Sequence, residues 1–286
     1  GWLYAWLESI SNGVGTIWVK IPSSIPAGGT YQLYMIQDST LPMDGVYWGE
    51  APQLSPTYAQ YDNGASVFDF YDNFAGTTLS SKWTSFATTS GGPSYSVNNG
   101  LIESGASTSS GTWEAIHVYT TSTYTPSVLE VYVPTYTGAS ISTTALKFGY
   151  ATVAPASGGD SGTHDWYAYD WNEGLGYVLE KIISGTWYNL GNSNNAWSPG
   201  IYSLYWPATG NEEGTFNYSN YVISSTDSSL TWGPSYIDLK FQTNSTTSSE
   251  VIYQWVRTRA YPPNGVMPSV SLGPQYSGEL ITVTVP

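Results

Sequence analysis

Apolar and polar residues alternate with a period of two in run after run of this chain: Thr16–Ile21, Thr30–Ile36, Val128–Val133, Trp166–Trp171, Tyr236–Phe241 and, longest, Glu250–Arg259. That period puts successive side chains on opposite faces of an extended backbone, which is the signature of a half-buried β-strand. Gly, Pro, Asn and Ser clusters bound the runs at the spacing found in sandwiches. No window carries a helical stripe; a single turn around Leu79–Trp83 is the best candidate for one. The pattern predicts an all-β protein, specifically a β-sandwich with a small amino-terminal β module and a carboxy-terminal extension strand.

The tail stands apart. Along Tyr276–Pro286, Ile281, Val283 and Val285 fall on one side and Leu280, Thr282 and Thr284 on the other. Before it runs a spacer, Pro262–Pro268 and then Gly273-Pro274, whose prolines lack amide donors and resist continuing a sheet. A free apolar strand on a stiff tether needs a sheet edge and a groove. It either folds back on its own chain or completes another molecule. With a further boundary after the polar stretch Tyr58–Ala65, the expected organisation is a small module over 1–66, a sandwich over 67–262, and spacer plus tail strand over 263–286.

Composition narrows the partners. Seven Lys+Arg against 21 Asp+Glu give a net charge of −14, with no basic cluster, which argues against nucleic acid and anionic membrane surfaces. Charged residues make up only 10% of the chain against about 25% in typical domains, while Tyr (25) and Trp (13) are abundant. A hydroxyl-rich, weakly charged surface of this kind points to an extracellular protein. The absence of cysteine removes disulfides and thiolate metal sites. No stretch approaches the roughly 20 apolar residues of a membrane span, and the start at Gly1-Trp2-Leu3 is read as that of a mature product. Two sequons, Asn217-Tyr218-Ser219 and Asn244-Ser245-Thr246, are candidate glycosylation sites.

Leu7-Glu8-Ser9, Ile17–Pro22, Ile25–Thr30 and Val67–Phe74 together resemble a domain of unknown function from archaeal and bacterial surface proteins. In that family a short β-domain ending in an FDDF-like turn runs into a concanavalin-like or laminin-G-like sandwich. Ser80–Trp83, Tyr95–Leu101 and the closing Val256–Tyr261 are similar to parts of that sandwich, so the resemblance spans roughly residues 7 to 261. It implies a concanavalin-like jelly roll for the larger module. Family members carry further β segments before the position of Leu7, which implies a first module short of one strand. A neighbouring copy's tail could supply it by strand addition, a head-to-tail contact that propagates rather than closes. In this respect the chain resembles the donor-strand filaments of archaeal surface threads and bacterial pili. The donor residues would be Leu280, Ile281, Val283 and Val285, and the acceptor groove would be lined by Ile17, Val19, Ile21, Tyr31, Leu33 and Met35.

Candidate chemistry is sparse. Retaining glycosidases need two carboxylates about 5 Å apart, and the Glu-x-Asp-x-x-Glu strand of glucanases in this fold is absent; Glu212-Glu213 are adjacent and read as part of a turn. His117 and His164 have no triad or metal spacing around them. Asp160, His164, Asp165 and Asp170 crowd one region where calcium is conceivable, but a hydrated polar loop is the favoured reading because no Asp-x-Asp-x-Asp-Gly pattern occurs. Asp69 and Asp72 read as backbone caps. Trp166, Tyr169, Trp171, Trp187, Tyr188 and Trp197 could stack on sugars or serve core and interface, with the latter favoured. The expectation is therefore no enzyme and no required cofactor. The leading reading is a subunit of an extracellular filament, joined to copies of itself, for adhesion or biofilm cohesion. The alternative is a secreted carbohydrate-binding sandwich.

Overall fold

A two-residue Asn12-Gly13 turn, with φ of 51° and 80°, opens the fold by joining β1 (Ala5–Ser11) to β2 (Val14–Val19). Two consecutive left-handed residues match the twist of antiparallel strands, and Asn-Gly tolerates them best. The computed structural model describes residues 1–36, 42–138, 144–155, 165–172, 174–206, 212–227, 233–262, 266–272 and 279–284. It divides into two units, Gly1–Asp69 together with Ala260–Pro286, and Phe70–Arg259.

In the first unit, β3 (Thr30–Met35) lies in a different sheet from β1 and β2, whereas β4 (Trp48–Glu50) runs parallel to β1. Trp6 is fully buried against Phe68, with ring centroids 5.2 Å apart and nearly perpendicular, and its indole N–H donates to Asp62 Oδ1 at 2.8 Å. Asn63 ties β1 to the β4 approach by donating Nδ2 to the Ala5 and Val46 carbonyls. A single helical turn, α1 (Gly64–Val67), is the described helix; at Leu79–Trp83 the chain makes only a turn closed by Trp83 N–H to Ser80 O.

The second unit runs β5 (Phe70–Asp72), β6 (Trp83–Ala87), β7 (Ser94–Val97), β8 (Leu101–Gly105), β9 (Glu114–Thr120), β10 (Val128–Val133), β11 (Thr135–Thr137) and β12 (Thr144–Ala151). It continues through β13 (Trp166–Asn172), β14 (Gly176–Ile183), β15 (Thr186–Asn192), β16 (Gly200–Tyr205), β17 (Glu212–Phe216), β18 (Asn220–Ser225), β19 (Tyr236–Thr243), β20 (Ser249–Tyr253) and β21 (Trp255–Arg259). A seven-stranded sheet, β15-β14-β13-β12-β19-β9-β6, is one layer. The other is made of a six-stranded sheet, β18-β17-β16-β10-β21-β5, and a four-stranded one, β11-β20-β8-β7. The alternating run Glu250–Arg259 is interrupted at Gln254, so β20 pairs in the four-stranded sheet and β21 in the six-stranded one, while Gln254 N–H still reaches Tyr132 O at 2.9 Å.

The core lies between these layers. Leu146, Phe148 and Tyr150 of β12 and Leu239 and Phe241 of β19 meet Val131, Leu204 and Val256 there. Each such side chain contributes roughly 1.5–3 kcal/mol on burial. The partner residues in the alternation, Lys147, Asp170, Asp238 and Lys240, turn to the opposite face of the seven-stranded sheet and are themselves buried. Antiparallel β22 (Ser269–Leu272) and β23 (Glu279–Thr284) return to the first unit, where β23 is the middle strand of a β22-β23-β3 sheet.

Candidate functional site

The face of the seven-stranded sheet turned away from the core collects the sandwich's most distinctive chemistry. Register brings Lys147 opposite Asp170, and β14 adds Glu180 beside them. Lys147 Nζ lies 2.9 Å and 3.1 Å from the Glu180 carboxylate oxygens and 3.5 Å from Asp170 Oδ2. Two carboxylates thus share one ammonium. Further along the same face His117 Nδ1 sits 2.8 Å from Asp238 Oδ2, and Lys240 lies over the Trp166 ring at 5.2 Å. Charges removed from water need such partners, because an isolated buried ion is costly.

The site reaches solvent at the edge strand β15. The register of β14 with β15 shifts between Leu179 and Glu180, leaving Leu190 as the extra residue of a bulge. Bulges re-aim side chains. Beyond it Trp187 pairs with Ile182 and so projects on the Glu180 face, where its indole N–H donates to Glu180 Oε2 at 2.6 Å. Trp187 remains 39% exposed. A tight Ser184-Gly185 turn, both residues at positive φ, sets its distance from β14.

Three other buried carboxylates behave differently. Glu130 on β10 is buried on the outer face of the six-stranded sheet; burial by itself raises its pKa, but Arg257 and Arg259 together hold it below the ordinary value. Glu103 faces Val251 within the core, and burial, followed by the charge of Asp238, pushes its pKa well up. Glu212 is pushed up to about 7 by burial and by Asp227, against the pull of its own backbone N–H, Tyr167 and Lys181. Glu212 and Glu213 belong to strand β17 rather than to a turn, with Glu212 buried.

Of the six aromatics considered for sugar stacking, Trp166, Tyr169 and Trp171 are buried, and Trp197 is half-buried against Tyr136. Trp187 and Tyr188 are exposed, Tyr188 on the opposite face beside Lys181. Asp72 does act as a cap, accepting the Phe74 N–H at 2.8 Å, and it also accepts from Ser80 Oγ and Trp83 Nε1. In the crowded region, Asp165 accepts the Ser184 N–H and Asp170 faces Lys147, while Asp160 and His164 lie outside the described residues. Among the described residues no cluster of three metal-ligating groups occurs, and no helix is long and apolar enough to cross a membrane.

The tail strand pairs with its own chain. Leu280 lies opposite Tyr34, Ile281 opposite Leu33 and Val283 opposite Tyr31, with Met35 opposite Glu279. Val285 lies outside the described residues. The other named groove residues are elsewhere: Ile17 and Val19 pair with β1, and Ile21 follows β2. Asn217 occupies the β17–β18 turn and Asn244 the turn after β19.

No family model matches the chain. It is 29% identical over 296 residues to uncharacterized protein 562 of Sulfolobus islandicus rod-shaped virus 1, covering 93% of this chain and 49% of that protein, so the chain spans about half the length of the curated relative it matches. A solved structure described with endo-acting O-glycanases of the human gut microbiota that initiate mucin breakdown is similar over 68% of this chain and 99% of its own, with a TM-score of 0.50 at 12% identity. A prokaryotic β-1,3-1,4-glucanase from a mouse hindgut metagenome (TM-score 0.48, 13% identity, 66% of this chain and 97% of that one) is a further neighbour. So is a Bacillus licheniformis β-glucanase (0.45, 15%, 66% and 96%). The sandwich unit Phe70–Arg259 makes up about that share of the 286 residues.

The neighbour described with endo-acting O-glycanases, which shares this fold, overturns the expectation that the chain is not an enzyme. Spacing along single strands carried that expectation. The carboxylate pair found here, Asp170 with Glu180, is assembled across two strands, where spacing along one strand has no bearing. At these identities the comparisons establish the concanavalin-like jelly-roll β-sandwich as the fold of this chain.

Proposed function

We propose that this chain is a carbohydrate-binding β-sandwich that takes neutral glycans at the rim of the seven-stranded sheet. The observation that carries the reading is Trp187: an exposed indole whose N–H is fixed by Glu180, itself held by Lys147. A rigid, exposed aromatic face suits a pyranose, which offers its C–H bonds to the ring. The net charge of −14 disfavours anionic polysaccharides. The glycoside hydrolase neighbours share this fold, which supports the substrate class. The test is retention of the full chain in native gels containing neutral β-glucans, with reducing ends assayed in parallel. Retardation supports binding, and release of reducing ends that is lost in Glu180→Gln extends it to hydrolysis. Unretarded migration on every neutral glycan rejects the reading.

The extracellular filament subunit is a second reading, favoured by one observation. Strand β23 is the middle strand of its sheet and makes its full run of pairs with β3, from Glu279 opposite Met35 to Thr284 opposite Thr30. The same pairs made between copies would join them head to tail without new chemistry. Electron microscopy of the full chain and of one ending at Leu272 tests it: fibres in the first alone support it, and dispersed particles in both reject it.

A further inference from the structure

We infer that Asn217 carries an N-linked glycan and that Asn244, in the second sequon, does not. Asn217, Tyr218 and Ser219 form the three-residue turn of the β17–β18 hairpin, with Phe216 opposite Asn220. Asn217 and Tyr218 both have positive φ, 45° and 67°. Asparagine is among the few residues that accept this conformation readily, so the residue type has a local reason as well as a chemical one.

The carboxamide of Asn217 is oriented by its surroundings. Its Oδ1 accepts the Ile201 N–H at 2.9 Å, and its backbone N–H donates to Ile201 O at 2.8 Å. Gly200 makes room for this: a Cβ there would stand 2.6 Å from Asn217 Oδ1. Because a backbone N–H needs an acceptor, oxygen must be the inward atom and Nδ2 the outward one. Asn217 and Ser219 are exposed, and Nδ2 makes no hydrogen bond among the described residues. A sugar on Nδ2 therefore leaves every inward contact of the turn in place.

At Asn244 the situation is reversed. The residue is half-buried with its Oδ1 fully enclosed. Its carbonyl accepts the Gly111 N–H at 2.9 Å, and the next carbonyl, of Ser245, accepts the Ser107 N–H at 2.7 Å. Ser245 N–H in turn donates to Thr243 Oγ1 at 3.1 Å. This sequon is sewn to the 107–111 loop, and a glycan would have to push that loop away.

The donor required is an oligosaccharide linked through diphosphate to a polyprenol. In the transfer the C1–O bond to phosphate breaks, a C1–Nδ2 bond forms, one amide proton is lost, and polyprenyl diphosphate departs with the bonding electrons. The glycan would then stand over β18, the edge strand of the six-stranded sheet, where Val222 is 51% exposed. Edge strands invite pairing with other chains, and bulk placed there blocks it. The inference also implies that the hairpin is made in a compartment holding such a donor, outside the cytoplasm.

The test is glycopeptide mass spectrometry on the full chain purified from its natural source, and on Ser219→Ala produced in the same host. Ser219→Ala is preferred to a change at Asn217, which would also remove the acceptor for Ile201. The expected result is a hexose-containing mass addition on most copies of the Asn217 peptide, lost in Ser219→Ala, with the Asn244 peptide unmodified in both. An unmodified Asn217 peptide in the natural protein, or a glycan on Asn244, overturns the inference.

Discussion

Arg257 Nε lies 2.6 Å from Glu130 Oε2, the two residues standing directly opposite each other on adjacent antiparallel strands and both fully buried. Arg259 reaches the other oxygen at 2.8 Å. Removing the carboxylate would leave two guanidinium groups facing each other away from water. Glu130→Leu is expected to cost about 3–5 kcal/mol of stability, measured by urea denaturation. Adding Arg257→Leu should recover part of that loss, because it removes one of the stranded charges. Since the pair holds Glu130 below its ordinary pKa, its contribution is present above the unfolded carboxylate range and is lost as pH falls through the folded value.

Glu212 has the opposite sign. Raised from 4.5 to about 7, it keeps its proton in the folded chain over a range where the unfolded chain has released it. The stability it supports is fully present below about pH 4.5 and is lost as pH rises through 7, where the buried group must ionise. Glu212→Gln stays neutral throughout. The difference in urea midpoint between variant and parent should be small at pH 4 and should favour the variant at pH 8.

Gly214 on β17 has the ring of Tyr169 where a Cβ would be. Tyr169 is itself held among Tyr177 and Tyr202, with centroids 6.2 Å and 6.3 Å away, and has no room to withdraw. Gly214→Ala is expected to destabilise by about 1–3 kcal/mol through overpacking, seen as a lower melting temperature, and to cost less in a Tyr169→Ala background, where the ring that meets the new Cβ is gone.

Alternation made the sandwich legible because a period of two has direct meaning in a strand: Leu146, Phe148 and Tyr150 against Lys147 and Gly149 on β12 sort themselves by face. It could not reveal the site. Lys147 and Glu180 are 33 residues apart and meet only because β12, β13 and β14 are consecutive neighbours in the sheet. Nor does residue type separate Trp166 from Trp187; the first is enclosed on a central strand and the second is open on an edge strand, and position in the sheet decides which can meet a ligand. For the tail, period and proline placement identified a strand seeking an edge. Which edge it takes depends on the path of the intervening chain: β3 in the described structure, whereas β2, also named as groove lining, went to another sheet.

Isothermal titration of the full chain and of Trp187→Ala with a neutral β-glucan oligosaccharide tests the central claim most directly. Saturable binding by the parent and an affinity about tenfold weaker in Trp187→Ala, equivalent to about 1.4 kcal/mol of stacking, is the result predicted. The same affinity in both proteins, or no saturable heat with any neutral glycan, would contradict it.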